Sequence, residues 1–204
     1  MTERPVHELL IGEQFSDDFR RLAEEADRHP GGQADFLRKQ ILREMSDLMS
    51  GRSDGHHVLG YEAGKGDLRD CVASKLQADP RRRAEHRLTF REIPAMNLDG
   101  DRNGRELLAI HPRHGDNNVY DATSTRLGRD LTTGQPELDR FGDRSASSGG
   151  NEAKRQADRD TQRAIAHAWA GQKPLSTSKP LDAAQFGTRA SPQPPTGPEQ
   201  PRER

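Results

Sequence analysis

The chain has 204 residues, 30% of them apolar and 32% charged, with a mean hydropathy of −1.06. That polarity excludes one compact globule built from the whole length and predicts a single domain followed by a segment too polar to bury. A net charge of −1 names no partner by itself and counts weakly against a nucleic-acid binder, although local runs such as Arg81, Arg82 and Arg83 still matter. The one cysteine, Cys71, cannot form an internal disulfide, which points to a reducing cytoplasm. No apolar run is long enough to cross a membrane, and MTERPVHELLIGEQ lacks the apolar core of a signal peptide.

Residues 6–12, VHELLIG, read as a first strand. Ser16 is expected to cap a helix running to about Asp27, with Asp17 and Asp18 at its positive end and Phe19, Leu22, Ala23 and Ala26 on one apolar face. His29, Pro30, Gly31 and Gly32 break it. A second helix is predicted from about Gln33 to Ser50, with a stripe of Leu37, Ile41, Met45 and Leu48 and with Gly51 as its stop. The short connection makes the two an antiparallel hairpin. Residues 51–69 read as a loop rich in Gly and His.

Three strands follow, in residues 70–77, 85–93 and from 105 onward. Side chains alternate across a strand, so Leu88 and Phe90 share one face while Arg87, Thr89 and Arg91 share the other. In the same way Val72 and Leu76 oppose Ala73 and Lys75. The expected sheet has one apolar face for a core. Its other face carries Lys75, Arg87 and Arg91, with Arg113, His114 and Tyr120 arriving just past the last strand. Clustered cations with a histidine and a tyrosine suit a phosphodiester. The bland alternatives are a solvated charged strand face and a core tyrosine. A short helix is predicted from Tyr120 to Leu127. Eight of the thirteen prolines lie after residue 130. The expected division is therefore a domain over 1–129, a Gly/Ser/Thr-rich linker over 130–150, an isolated helix over 151–171 and a disordered Pro-rich tail over 172–204.

Several motifs fall short of a ligand site. GYEAGKGD at 60–67 is one residue too short for a phosphate-binding loop, with Gly66 where Ser or Thr should hold magnesium. DGDRNG at 99–104 starts like a calcium loop, but Ile110 occupies the position that needs a bidentate Glu. His56, His57, His111 and His114 lack the spacing of a zinc site, so no metal or other cofactor is expected.

The layout of strand, helical hairpin and three-strand meander, together with LRDCVASKL, HRLTFREI and LLAIHPRHGDNNVY, resembles the RelE/ParE superfamily of bacterial type II toxin–antitoxin toxins over residues 5–128. The resemblance implies an α+β fold in which the helical hairpin packs on a small antiparallel sheet. It also implies one of two activities. One is cofactor-free endoribonucleolytic cleavage of messenger RNA on the ribosome, by attack of a ribose 2′-OH on the adjacent phosphate. The other is non-enzymatic inhibition of DNA gyrase; a catalytically silent interaction module on the same fold is a third reading. By position, Lys75 matches the second of two strand lysines and Ala73 stands where the first would be. Arg87 matches the strand arginine, with His86 replacing the preceding tyrosine; Arg113 or His114 matches the basic turn, and Tyr120 the C-terminal tyrosine. On this resemblance Lys75, Arg87, Arg113, His114 and Tyr120 are the catalytic candidates, with His114 or Tyr120 as general base on the 2′-OH or Tyr120 instead stacked on a base, and Arg69, Arg91 and Lys75 contact RNA. Messenger RNA, the ribosome and a cognate antitoxin are the implied partners, with no membrane.

Overall fold

The computed structural model describes residues 6–95, 98, 102–141 and 173–181. The chain enters through strand β1 (Glu8–Ile11) and turns into helices α1 (Glu13–Arg28) and α2 (Gln33–Ser50). Three two-residue strands follow, β2 (His57–Val58), β3 (Tyr61–Glu62) and β4 (Gly66–Asp67). The meander is β5 (Cys71–Leu76), β6 (His86–Ile93) and β7 (Gly104–Pro112); helix α3 (Val119–Arg126), a 3₁₀ turn over Pro136–Phe141 and strand β8 (Lys179–Pro180) complete the order. The fold is α+β. Its main sheet is mixed, in the order β2-β5-β6-β7-β1-β8, with β1 parallel to β7 and the other pairs antiparallel. Strands β3 and β4 pair separately.

The helices follow the apolar periodicity. Leu37, Ile41, Met45 and Leu48 of α2 are buried with Phe15 and Phe19 of α1 against Leu9, Val72, Leu88, Phe90 and Leu107 of the sheet. Helix α2 ends at Gly51, whose φ of 72° is a left-handed cap, with its N–H donating to the Leu48 carbonyl. Helix α1 begins earlier than expected. Gly12 is its extended N-cap, and the Ser16 hydroxyl donates back to the Gly12 carbonyl at 3.0 Å instead of capping. Serine makes this i−4 bond readily inside a first turn, so a serine beside acidic residues does not fix a helix start.

The sheet is not one-sided. Its second face is also buried, with Leu59, Leu68, Cys71, Ala73 and Leu108 forming a smaller core under α3. Residues 51–69 are also more than a loop, because β2 adds His57 opposite Ala73 and Val58 opposite Val72 at the β5 edge. Two devices bring β2 there. Arg105 donates to the carbonyls of Leu48 and Ser53 and pairs with Asp54 at 2.6 Å and Glu92 at 2.9 Å, pinning the chain as it leaves α2. Gly55, at φ 77°, then passes so close over the sheet that a Cβ there would lie 2.4 Å from Val72 Cγ1.

Residues 130–141, expected to be linker, pack on the domain. Leu138 is 1% exposed, Asp139 pairs with Arg69 at 2.9 Å, and the Gln135 N–H donates to Asp67. Composition hides this, because one leucine, one carboxylate and backbone groups such as the Leu131 carbonyl, which accepts from the N–H groups of Gly64 and Gly66, do the anchoring within a Gly/Ser/Thr-rich run. Leu138→Ala should therefore cost about 2–5 kcal/mol in urea unfolding, as for other core leucines; a loss below about 0.5 kcal/mol would mean that the segment is not part of the core. Residues 173–181, expected within the tail, lie along β1, with Leu10 opposite Pro180 and the Leu181 N–H donating to Leu9. The expected helix over 151–171 and the remainder of the tail lie outside the described residues. No helix among the described residues is long and apolar enough to cross a membrane.

Candidate functional site

Facing residues on paired strands project from the same side of a sheet, about 5 Å apart at Cβ. On the side covered by α3, one row runs His57, Ala73, Thr89, Ala109 across β2, β5, β6 and β7. The next row runs Lys75, Arg87, His111. Helix α3 roofs the first row. Thr123 Oγ1 meets Thr89 Oγ1 at 2.7 Å and donates to the Val119 carbonyl. Asn118 starts the helix by accepting from the backbone N–H groups of Tyr120 and Asp121. Tyr120 is thereby held half-buried against the smaller core, with the Lys65 ammonium 5.5 Å from its ring centre.

The arginines buried on this domain divide by their partners. Arg69 pairs with Asp67 at 2.6 Å and with Asp139. Arg91 pairs with Glu106 at 2.6 Å and donates to the Lys173 carbonyl. Arg105 has Asp54 and Glu92. Arg87 is equally buried, at 4% exposed, yet among the described residues no carboxylate faces it. Its Nη1 donates to the carbonyls of Ala84 and His86 at 2.8 and 2.7 Å, and its Nε has no partner among the described residues. Burial lowers its pKa from the ordinary arginine value; Tyr120 pulls the other way, and nearby Arg113 adds to the lowering. Lys75 and Arg113 are exposed, and neither makes an ion pair among the described residues.

His57 feels the same cluster. Burial first, then Lys75, Arg87, Arg113 and His56, push its pKa down to about 4, so the imidazole is neutral at neutral pH. Its Nδ1 is buried with no partner among the described residues. The neighbouring His56 is differently held, its Nδ1 accepting from the Lys75 backbone N–H at 3.1 Å.

The structure thus brings Lys75, Arg87, Arg113 and Tyr120 to one end of the α3-covered face. His114 sits beside Arg113 in the exposed turn, and no hydrogen bond or ion pair among the described residues ties it to the cluster. Arg69 and Arg91 are buried with their charges matched by carboxylates, so they present no open guanidinium to RNA. His57 was not legible in the sequence. A two-residue strand carries no periodicity, and only the pairing of the HHV run with β5 places it on this face. His111, near the end of β7 and beyond the stretch paired with β1, instead contacts Asp18 at 3.1 Å beside Arg126.

Other groups are ill suited to chemistry. Burial pushes the Cys71 thiol well above its ordinary pKa, so it is not a thiolate nucleophile at neutral pH. No group of three or more His, Cys, Asp or Glu side chains among the described residues is placed to hold a metal ion. An open groove of about 1020 Å³ runs along α1 beside Ser176 and Lys179 and holds none of the cluster residues. What the cluster can do is bind an anion. A guanidinium fixed by two carbonyls, with a lysine and a second arginine at the rim, offers several charge-assisted hydrogen bonds to one phosphate. No protein-family model matches this chain, and no curated protein or solved structure matches it either.

Proposed function

We propose that the protein is a RelE-like toxin that cleaves messenger RNA in the cytoplasm, on the ribosome, without a metal. The observation that carries this reading is Arg87: a buried arginine with no carboxylate partner among the described residues, flanked by Lys75 and Arg113. Burying a charge without a counter-ion is costly, and an incoming phosphate relieves that cost. The order of strand, helical pair and meander supports the RelE/ParE resemblance, although the sheet is mixed and six-stranded where a small antiparallel one is expected.

In this reading Arg87 and Arg113 hold the scissile phosphate and neutralise the charge that grows in its pentacoordinate transition state. Lys75, opposite Arg87 on β5, steadies the leaving oxygen. Tyr120 lines the roof and stacks on a base. A cognate antitoxin belongs to the same proposal.

The test is cleavage of a messenger by the full chain, alone and with programmed ribosomes, mapped by 5′ ends. Arg113→Ala should lower the rate by about 10²-fold or more with the fold retained, in line with the loss of one transition-state donor. Absence of cleavage by the wild-type chain in both settings overturns the nuclease reading. Growth arrest with DNA damage in its place would assign the gyrase-inhibitor alternative.

A further inference from the structure

We propose that His57 is the proton acceptor of this site, taking the proton of the attacking ribose 2′-OH once a phosphodiester lies on Arg87 and Arg113. The inference rests on the nuclease reading above and names a residue that reading does not use. It stands on placement. Strand β2 sets His57 directly across from Ala73 and on the same side of the sheet as Lys75 and Arg87. The imidazole has a buried nitrogen with no partner among the described residues, while His56 is engaged by the Lys75 backbone.

The surrounding charge supports it. Beside burial, the leading groups that act on His57 among the described residues are Lys75 from β5, Arg87 from β6, Arg113 from the turn after β7 and His56 from the chain entering β2, and each of them disfavours its protonation. With no phosphate bound, burial first and then these cations keep the imidazole unprotonated and ready to accept. A bound phosphate cancels part of their field, so the imidazolium becomes affordable only when substrate is present. Substrate binding and proton affinity are thereby coupled.

The step balances without a co-reactant. The O2′–P bond forms as the 2′-OH proton passes to His57. The P–O5′ bond breaks, and O5′ takes a proton from the Lys75 ammonium. The products are a 2′,3′-cyclic phosphate and a 5′-hydroxyl; the imidazolium then releases its proton to water, and Lys75 regains one.

The experiment uses the full chain and a dinucleotide with a 2′-deoxy sugar at the attacking position, which binds but cannot react. Imidazole NMR titrations, with His57 assigned by loss of its signal in His57→Gln, should show its pKa rising by at least about one unit when the dinucleotide is added. His57→Gln should bind the dinucleotide within a few-fold of wild type, cleave RNA about 10²-fold or more slowly, and lose the acidic limb of the pH–rate profile. Wild-type cleavage with His57→Gln nearly as fast, or an unmoved His57 titration, overturns this inference and leaves the nuclease reading standing. Dinucleotide binding with no RNA cleavage by the wild type overturns both.

Discussion

Arg87→Met and Arg91→Met should have opposite consequences, although the two arginines lie on one strand, face the same side and are almost equally buried. Arg91→Met should destabilise the domain by about 3–5 kcal/mol. Glu106 is fully buried, and its carboxylate is held by Arg91 at 2.6 Å and by the Leu175 N–H at 2.6 Å. Removing the guanidinium leaves a buried anion with one neutral donor among the described residues, and it also frees the Lys173 carbonyl that anchors residues 173–181. Arg87→Met removes a buried cation that has no counter-ion among the described residues. The methionine fills similar space without the desolvation cost, and the carbonyls of Ala84 and His86 lie on half-buried residues. Its folding stability should stay within about 1 kcal/mol of wild type or rise above it, while affinity for a phosphodiester falls at least tenfold. Urea unfolding and dinucleotide titration on the two variants check both halves. Equal destabilisation by the two changes would mean that Arg87 serves the fold as Arg91 does, and the anion site would lose its main support.

The same comparison explains which parts of the structure the sequence discloses. The helical pair and the meander are legible because Leu37, Ile41, Met45 and Leu48, and then Leu88 and Phe90, repeat with the period of their element. The second buried face is not, because its charged residues look like a solvated surface. Arg91 meets Glu106 fifteen positions away, and Arg129 meets Asp70 fifty-nine positions away. Charge alone cannot show that Arg91 is neutralised and Arg87 is not; the difference depends on which carboxylate the fold delivers. A bulge compounds this. Thr89 faces Ala109 but Phe90 faces Leu107, so Leu108 has no cross-strand partner and strict alternation fails on β7. The cation group Lys75, Arg87, Arg113 and Tyr120 is nonetheless readable from order along the chain, whereas His57 depends on the glycine and arginine that steer β2 onto the sheet edge.

Acidification should weaken the fold first through His57. The unfolded chain takes a proton on this imidazole near its ordinary value of 6.5, and the folded chain only near about 4. Between those values the unfolded state holds more protons, so stability rises with pH across that window and is complete above it. A gap of that size corresponds to about 3 kcal/mol lost between pH 7 and pH 4. The buried carboxylates act later. Despite burial, His111 and Arg126 hold Asp18 below its ordinary value, and Arg69 and Arg129 do the same for Asp67 and Asp70, so their share is lost only as pH falls below about 3.8. His86, also lowered by burial, adds in the same direction as His57. Urea midpoints measured every half unit from pH 7 to 4 should therefore fall steeply for wild type and much less for His57→Gln, with His86→Gln keeping most of the slope. Added 2′-deoxy dinucleotide should flatten the wild-type curve, since a phosphate on Arg87 and Arg113 makes the imidazolium less costly. A slope that His57→Gln leaves unchanged would show that the cations do not act on this imidazole, and with that the coupling between anion binding and proton uptake would be lost.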